Sequence, residues 1–147
     1  MLVKIHSLKE LQEFARAVAK TLKGGEILAL SGELGAGKTT FTKFLLKELG
    51  VKSRIVSPTF VLMVPYVHNK TTYYHLDLYR TSSFKEISAL GLEELWGLKQ
   101  NVFVIEWAER IKKHLPKNTI FLKFEIVSLK EAQRKITIKN ASKNFKI

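Results

Sequence analysis

Apolar residues recur along this chain with two different periods. Leu8, Leu11, Phe14, Ala15, Val18 and Leu22 fall at helical spacing with polar residues between them, which predicts an amphipathic helix over residues 7–22. Ser7 followed by Glu10 is a capping-box start, and Gly24 and Gly25 end the helix. Residues 27–31 are a short apolar run suited to a buried strand, and they lead straight into a glycine-rich turn. Helical period returns at Phe41, Phe44, Leu45 and Leu49, predicting a helix over residues 38–49 with Gly50 as its C-terminal cap. The local order is therefore strand, glycine loop, helix.

Farther along, strand-like runs dominate. Residues 61–67 and 73–78 read as a hairpin joined by residues 68–72, and Pro65 in its first arm predicts an edge strand. Ser82 or Ser83 caps a short helix through Leu90, before Gly91. Residues 102–105 form another buried apolar run, ending in Glu106 and Trp107, and residues 108–115 look helical up to Pro116. Residues 120–127 and 135–139 alternate as a second hairpin across Lys130 and Glu131, with residues 140–147 expected as a polar, flexible tail. Without repeats or linkers, the pattern predicts one α/β domain over residues 1–147 with two antiparallel hairpins.

Composition narrows the chemistry. At 147 residues, 46% hydrophobic and 26% charged, the chain can bury a core and is not disordered. It has no apolar run of about 18 residues, and its first helix carries Glu10, Glu13, Arg16 and Lys20, so neither a membrane span nor a secretory signal is expected. The absence of cysteine removes disulfides, thiolate metal sites and cysteine nucleophiles, and fits a cytoplasmic location. The net charge of +12 is uneven: residues 111–147 hold ten Lys or Arg against Glu125 and Glu131. That basic end would attract nucleic acid or an acidic protein face, with solvated lysine-rich strands as the plain alternative. Asp77 is the single Asp among 13 acids.

The glycine turn carries the strongest chemical signal. Gly32, Glu33, Leu34, Gly35, Ala36, Gly37, Lys38 and Thr39 fit G-x-x-x-x-G-K-[ST] without mismatch, between a predicted strand and a predicted helix. A triphosphate needs many inward-pointing N–H donors at close range, and glycines let the backbone take that curve. Lys38 can reach the β and γ phosphates, while Thr39 offers a hydroxyl to Mg²⁺ at the helix N-terminus.

Phosphoryl transfer from such a loop also needs a carboxylate at the end of a neighbouring buried strand. Two acids qualify. Glu106 ends the apolar run 102–105 and is the preferred metal acid; Asp77 ends Tyr73-Tyr74-His75-Leu76, where it either orients water or pairs with Arg80 at the surface. Thr59, in Ser57-Pro58-Thr59-Phe60, occupies the place of a switch that senses the γ phosphate, with a plain turn as the alternative. The guanine-reading N-K-x-D is not completed, because Asn69 and Lys70 precede Thr71 and Thr72, which leaves adenine as the base. His75 reads as a hydrogen-bonded core residue, with a proton shuttle as the alternative, and Trp107 as packing beneath the site or stacking on a base.

Five blocks in order resemble the bacterial ATPase family TsaE, formerly YjeE, of tRNA threonylcarbamoyladenosine biosynthesis. They are Gly32 to Thr39 with Thr40, Ser57-Pro58-Thr59-Phe60, His75-Leu76-Asp77-Leu78-Tyr79-Arg80, Gly91-Leu92-Glu93-Glu94, and Glu106-Trp107-Ala108-Glu109-Arg110, within residues 7–116. The resemblance implies a P-loop NTPase domain, α/β with a mixed, mostly parallel sheet flanked by helices, that binds ATP and Mg²⁺ and hydrolyses ATP slowly alone. It implies TsaD and TsaB as partners, the pair that transfers the threonylcarbamoyl group to tRNA, with the ATPase resetting them between cycles. tRNA would be met indirectly or through the basic C-terminal region. On the family pattern residues 33–40 hold nucleotide, Lys38 contacts phosphates, Thr39 and Glu106 serve Mg²⁺, Thr59 belongs to the switch, Asp77 is needed for turnover, and Trp107 lies close to the nucleotide. Pro65 and Ala108 depart from the pattern, where the family often has an acid and a proline. A small-molecule kinase and a nucleotide-dependent RNA-binding module compete with this reading. Against the first, the chain's five arginines are scattered and form no lid; against the second, the basic end offers only Phe121, Phe124 and Phe145 for stacking.

Overall fold

The computed structural model describes residues 1–58, 60–81, 83–141 and 145. The chain runs β1 (Leu2–Ile5), α1 (Leu8–Thr21), β2 (Ile27–Ser31), α2 (Lys38–Glu48), β3 (Met63–His68), β4 (Thr71–Asp77), α3 (Phe84–Ser88), α4 (Leu92–Leu95), β5 (Asn101–Glu106), a 3₁₀ helix (Ala108–His114), β6 (Ile120–Ser128) and β7 (Gln133–Lys139). Among the described residues seven strands join one sheet in the order β1-β7-β6-β2-β5-β4-β3. The inner pairs β6-β2, β2-β5 and β5-β4 are parallel, and the outer pairs β1-β7, β7-β6 and β4-β3 are antiparallel. Five of the seven strands, β1, β6, β2, β5 and β4, therefore point the same way.

Alternation along the inner strands divides the apolar residues between two layers. Leu28, Leu30, Val104, Leu122 and Phe124 pack under α1 and α2 with Phe14 and Phe41. Ile27, Ala29, Phe103 and Ile105 face the other way, against Ile87, Leu92 and Ile111 of the short helices. β5 is buried at every position, as a central strand covered on both faces should be. Phe41 is fully buried, its ring centroid 5.4 Å from Phe14 and 5.5 Å from Phe124. Phe41→Ala is expected to cost about 3–5 kcal/mol of stability, measured by denaturant unfolding.

Local signals account for most element ends. Ser7 caps α1, its Oγ accepting from the Glu10 N–H at 3.1 Å, while the Glu10 carboxylate accepts from the His6 N–H at 2.8 Å. Gly50, at φ +92°, ends α2 with the paired bonds of a Schellman motif, Gly50 N–H to Lys47 O and Val51 N–H to Leu46 O, both 3.0 Å. Pro65 lies on β3, the sheet edge.

Other boundaries differ from the pattern, each for a physical reason. The first hairpin turns over Asn69 and Lys70 rather than five residues, because Asn69 takes a left-handed φ of +53° and the β-branched Thr71 and Thr72 extend β4. The helix expected over residues 108–115 forms as a 3₁₀ helix over Ala108–His114. Ala108 and Ile111 are buried and His114 stacks on Phe84 at 3.6 Å, and that three-residue repeat makes a single stripe only at three residues per turn. α4 follows Gly91 and had no separate signal, and β1 is too short to show a period. Within the expected tail, Asn140 donates to Lys117 O at 2.6 Å and Thr119 O at 2.9 Å, and Phe145 packs in the α1–α2 core. Residues 142–144, 146 and 147 lie outside the described residues.

Candidate functional site

Residues 32–37 turn the chain from the end of β2 into the start of α2. Two glycines make that path possible. Gly32 has φ +133°, and a Cβ there would lie 2.2 Å from the Phe124 carbonyl oxygen on β6. Gly37, at φ +103°, is the left-handed N-cap of α2. Gly32→Ala is expected to destabilise the fold by about 2 kcal/mol or more, read as a lowered denaturation midpoint, since backbone cannot yield as a flexible side chain can.

The same turn buries Lys38, which is 4% exposed. Its ammonium donates to Gly32 O at 2.5 Å and Glu33 O at 2.9 Å, and lies 4.0 Å above the centre of the Trp107 ring. Burial pulls this lysine below its ordinary pKa, while Glu106, Glu109, Asp77 and Glu33 push in the opposite direction. Trp107 follows the last residue of β5 and takes a left-handed conformation at φ +58°, sparsely populated for a bulky residue. Its ring also meets Tyr79, with centroids 5.0 Å apart.

Parallel pairing brings the acids to the loop. Glu106 stands beside Leu30 of β2 on one side and Asp77 of β4 on the other. Its Oε2 accepts from the Thr39 hydroxyl at 2.7 Å, and its Oε1 lies 2.7 Å from His75 Nε2. Glu106 is 1% exposed and His75 is fully buried. Asp77 Oδ1 accepts from the Tyr79 N–H at 3.0 Å.

These groups surround a cleft of about 320 Å³. Of the residues expected from sequence, Leu34, Gly35, Gly37, Lys38, Thr39, Thr40, Asp77, Glu106 and Trp107 line it. Glu33 contributes its carbonyl to Lys38, and Ala36 is buried in the α1–α2 core. Thr59 lies outside the described residues. Ser57 and Tyr79 line the cleft without having been singled out, and His75, read as core, reaches Glu106. The signal for His75 was its position two residues before Asp77, which puts both on the same strand face.

Oxygen donors of this kind suit Mg²⁺, which uses one or two protein ligands and takes the rest from phosphates and water. Thr39 Oγ and Glu106 Oε2 are already side by side, and among the described residues the buried acids Asp77 and Glu106 outnumber the one buried Lys or Arg, Lys38, so the residues fit that ion. Among the described residues no group of three or more His, Cys, Asp or Glu forms a cage that would hold a metal without a nucleotide.

A glycine loop between the central parallel strand and a helix, with a neighbouring strand ending in a carboxylate, defines a P-loop NTPase fold. The crystal structure of YdiB from Bacillus subtilis superimposes with a TM-score of 0.76 at 31% identity, covering 94% of this chain and 83% of that one. The family model of threonylcarbamoyl adenosine biosynthesis protein TsaE matches residues 5–136, and the chain belongs to that family. It is 46% identical over 113 residues to the tRNA threonylcarbamoyladenosine biosynthesis protein TsaE of Rickettsia bellii, covering 76% of this chain and 77% of that protein. With the protein of the same name from Treponema pallidum it shares 36% identity over 133 residues, 90% of this chain and 95% of the other.

Proposed function

We propose that this chain binds ATP and Mg²⁺ in the cleft and hydrolyses ATP slowly alone. It acts on the TsaB and TsaD transferase pair between cycles of threonylcarbamoyladenosine modification of tRNA. The observation that carries the reading is the convergence of Lys38, Thr39, Asp77 and Glu106 from three separate elements on one cleft. Residues 33–40 and the Lys38 ammonium meet the β and γ phosphates, where negative charge shifts during transfer. Thr39 and Glu106 hold Mg²⁺, which neutralises phosphate charge when bound. Asp77 orients the attacking water, Thr59 senses the γ phosphate, and Trp107 packs beside the nucleotide.

This activity belongs in the cytoplasm, with the tRNA. Contact with tRNA runs through the pair or through the basic end, where Lys123, Lys135 and Lys139 share one face of the β6–β7 hairpin. Phosphate release by the purified chain, alone and with TsaB, TsaD and tRNA, tests the reading. We expect slow release alone and a several-fold increase with the pair. Release that ignores the pair would refute the partner assignment, and no release in any mixture would refute the ATPase.

A further inference from the structure

His75 is a polar ring set in an otherwise apolar part of the sheet. It is fully buried, and its register neighbours are Val64 on β3 and Val104 on β5. Two residues before it, Tyr73 packs with Leu46, Val51 and Val102 beneath α2. Nε2 lies 2.7 Å from Glu106 Oε1, whereas Nδ1 has no hydrogen-bond partner among the described residues. A side chain kept only to fill that space would do better as leucine, which has no polar atom to desolvate. The bond to Glu106 is what the imidazole adds.

The unpartnered atom also settles the direction of the bond. A proton on Nδ1 would be a buried donor with nothing to meet, while a proton on Nε2 gives the carboxylate a donor. Glu106 is thus held at both oxygens, by the Nε2–H at Oε1 and by the Thr39 hydroxyl at Oε2. Both partners come from elements other than β5, so the carboxylate cannot swing without breaking a bond to one of them.

We propose that His75 is a positioning residue that fixes the Glu106 carboxylate, so that Oε2 is presented beside Thr39 in the geometry a bound Mg²⁺ requires. This rests on the reading of the cleft as an ATP and Mg²⁺ site. His75 does not line the cleft, and the Lys38 bonds to Gly32 O and Glu33 O do not involve it. Its effect therefore falls on the metal and on kcat, not on the grip of the loop on phosphate.

Two substitutions separate the roles. His75→Leu keeps the approximate volume and removes the donor; His75→Gln carries an amide nitrogen close to the position of Nε2. Tryptophan fluorescence of the full chain gives two constants: the affinity for ATPγS in EDTA, and the Mg²⁺ half-saturation with ATPγS saturating. Losing such an outer partner costs metal affinity about 10- to 100-fold, so His75→Leu should raise the Mg²⁺ half-saturation by that factor. Metal-free ATPγS affinity should stay within about twofold, and His75→Gln should recover most of the Mg²⁺ affinity.

An unchanged Mg²⁺ response in His75→Leu overturns the proposal, and so does an equal shift in both variants, which would make the residue packing alone. If thermal melting shows that His75→Leu does not fold, His75→Asn replaces it, since its shorter amide falls near Nδ1 and misses Glu106. Equal Mg²⁺ constants for the Asn and Gln variants would then overturn the proposal. A wild-type chain that binds ATPγS without any response to Mg²⁺ refutes the metal reading of the cleft itself, and this inference falls with it.

Discussion

Replacing Lys38 with alanine is expected to lower ATP hydrolysis by about a hundredfold or more while leaving the fold standing. The ammonium is the cation placed where the loop turns into α2, and among the described residues no other lysine or arginine lines the cleft. Removing it takes positive charge from the place where the transferring phosphoryl group needs it. Stability should change far less. The two groups Lys38 bonds are loop carbonyls that water can reach once the side chain is gone, and its burial already disfavours the charged form. Phosphate release and a thermal melt on the same preparation check both halves. Full turnover by Lys38→Ala would remove the loop from the reaction.

Glu106→Gln is expected to raise the Mg²⁺ requirement about tenfold or more without unfolding the chain. The amide can still satisfy both neighbours: its oxygen accepts from His75 Nε2–H, and its nitrogen donates to the Thr39 hydroxyl, which rotates to accept. What disappears is the negative charge beside Thr39. Asp77→Asn should instead slow turnover with the Mg²⁺ dependence intact, because Asp77 is assigned to water and not to metal. Steady-state hydrolysis against Mg²⁺ concentration separates the two acids. If Asp77→Asn alone shifts the metal curve, their roles are exchanged.

The two acids also show where reading the chain reached its limit. Both end buried strands, and sequence could rank them but had no means of measuring distance to Thr39. The structure puts Asp77 and Glu106 side by side in register, with Glu106 on the hydroxyl and Asp77 next to Tyr79. His75 was legible as buried and hydrogen-bonded. Its partner was not, because that bond depends on how β4 and β5 align.

The P-loop, the helices that cover one face and both hairpins were legible because each is a local matter. Residues 32–39 are contiguous, and an amphipathic helix or a hairpin shows its period within a dozen residues. Elements without a local period escaped: the four residues of β1, which exist as a strand through pairing with β7, and α4, also four residues long. The chain by itself determined the chemistry available, a glycine loop with its lysine and two strand-ending acids. Tertiary structure alone decided which groups meet, since Thr39 and Glu106 are 67 residues apart and His75 and Glu106 are 31 apart. Backbone hydrogen bonds between strands are alike at every position. The order β2-β5-β4 and its register are therefore set by how all the side chains pack together, and no single segment encodes them.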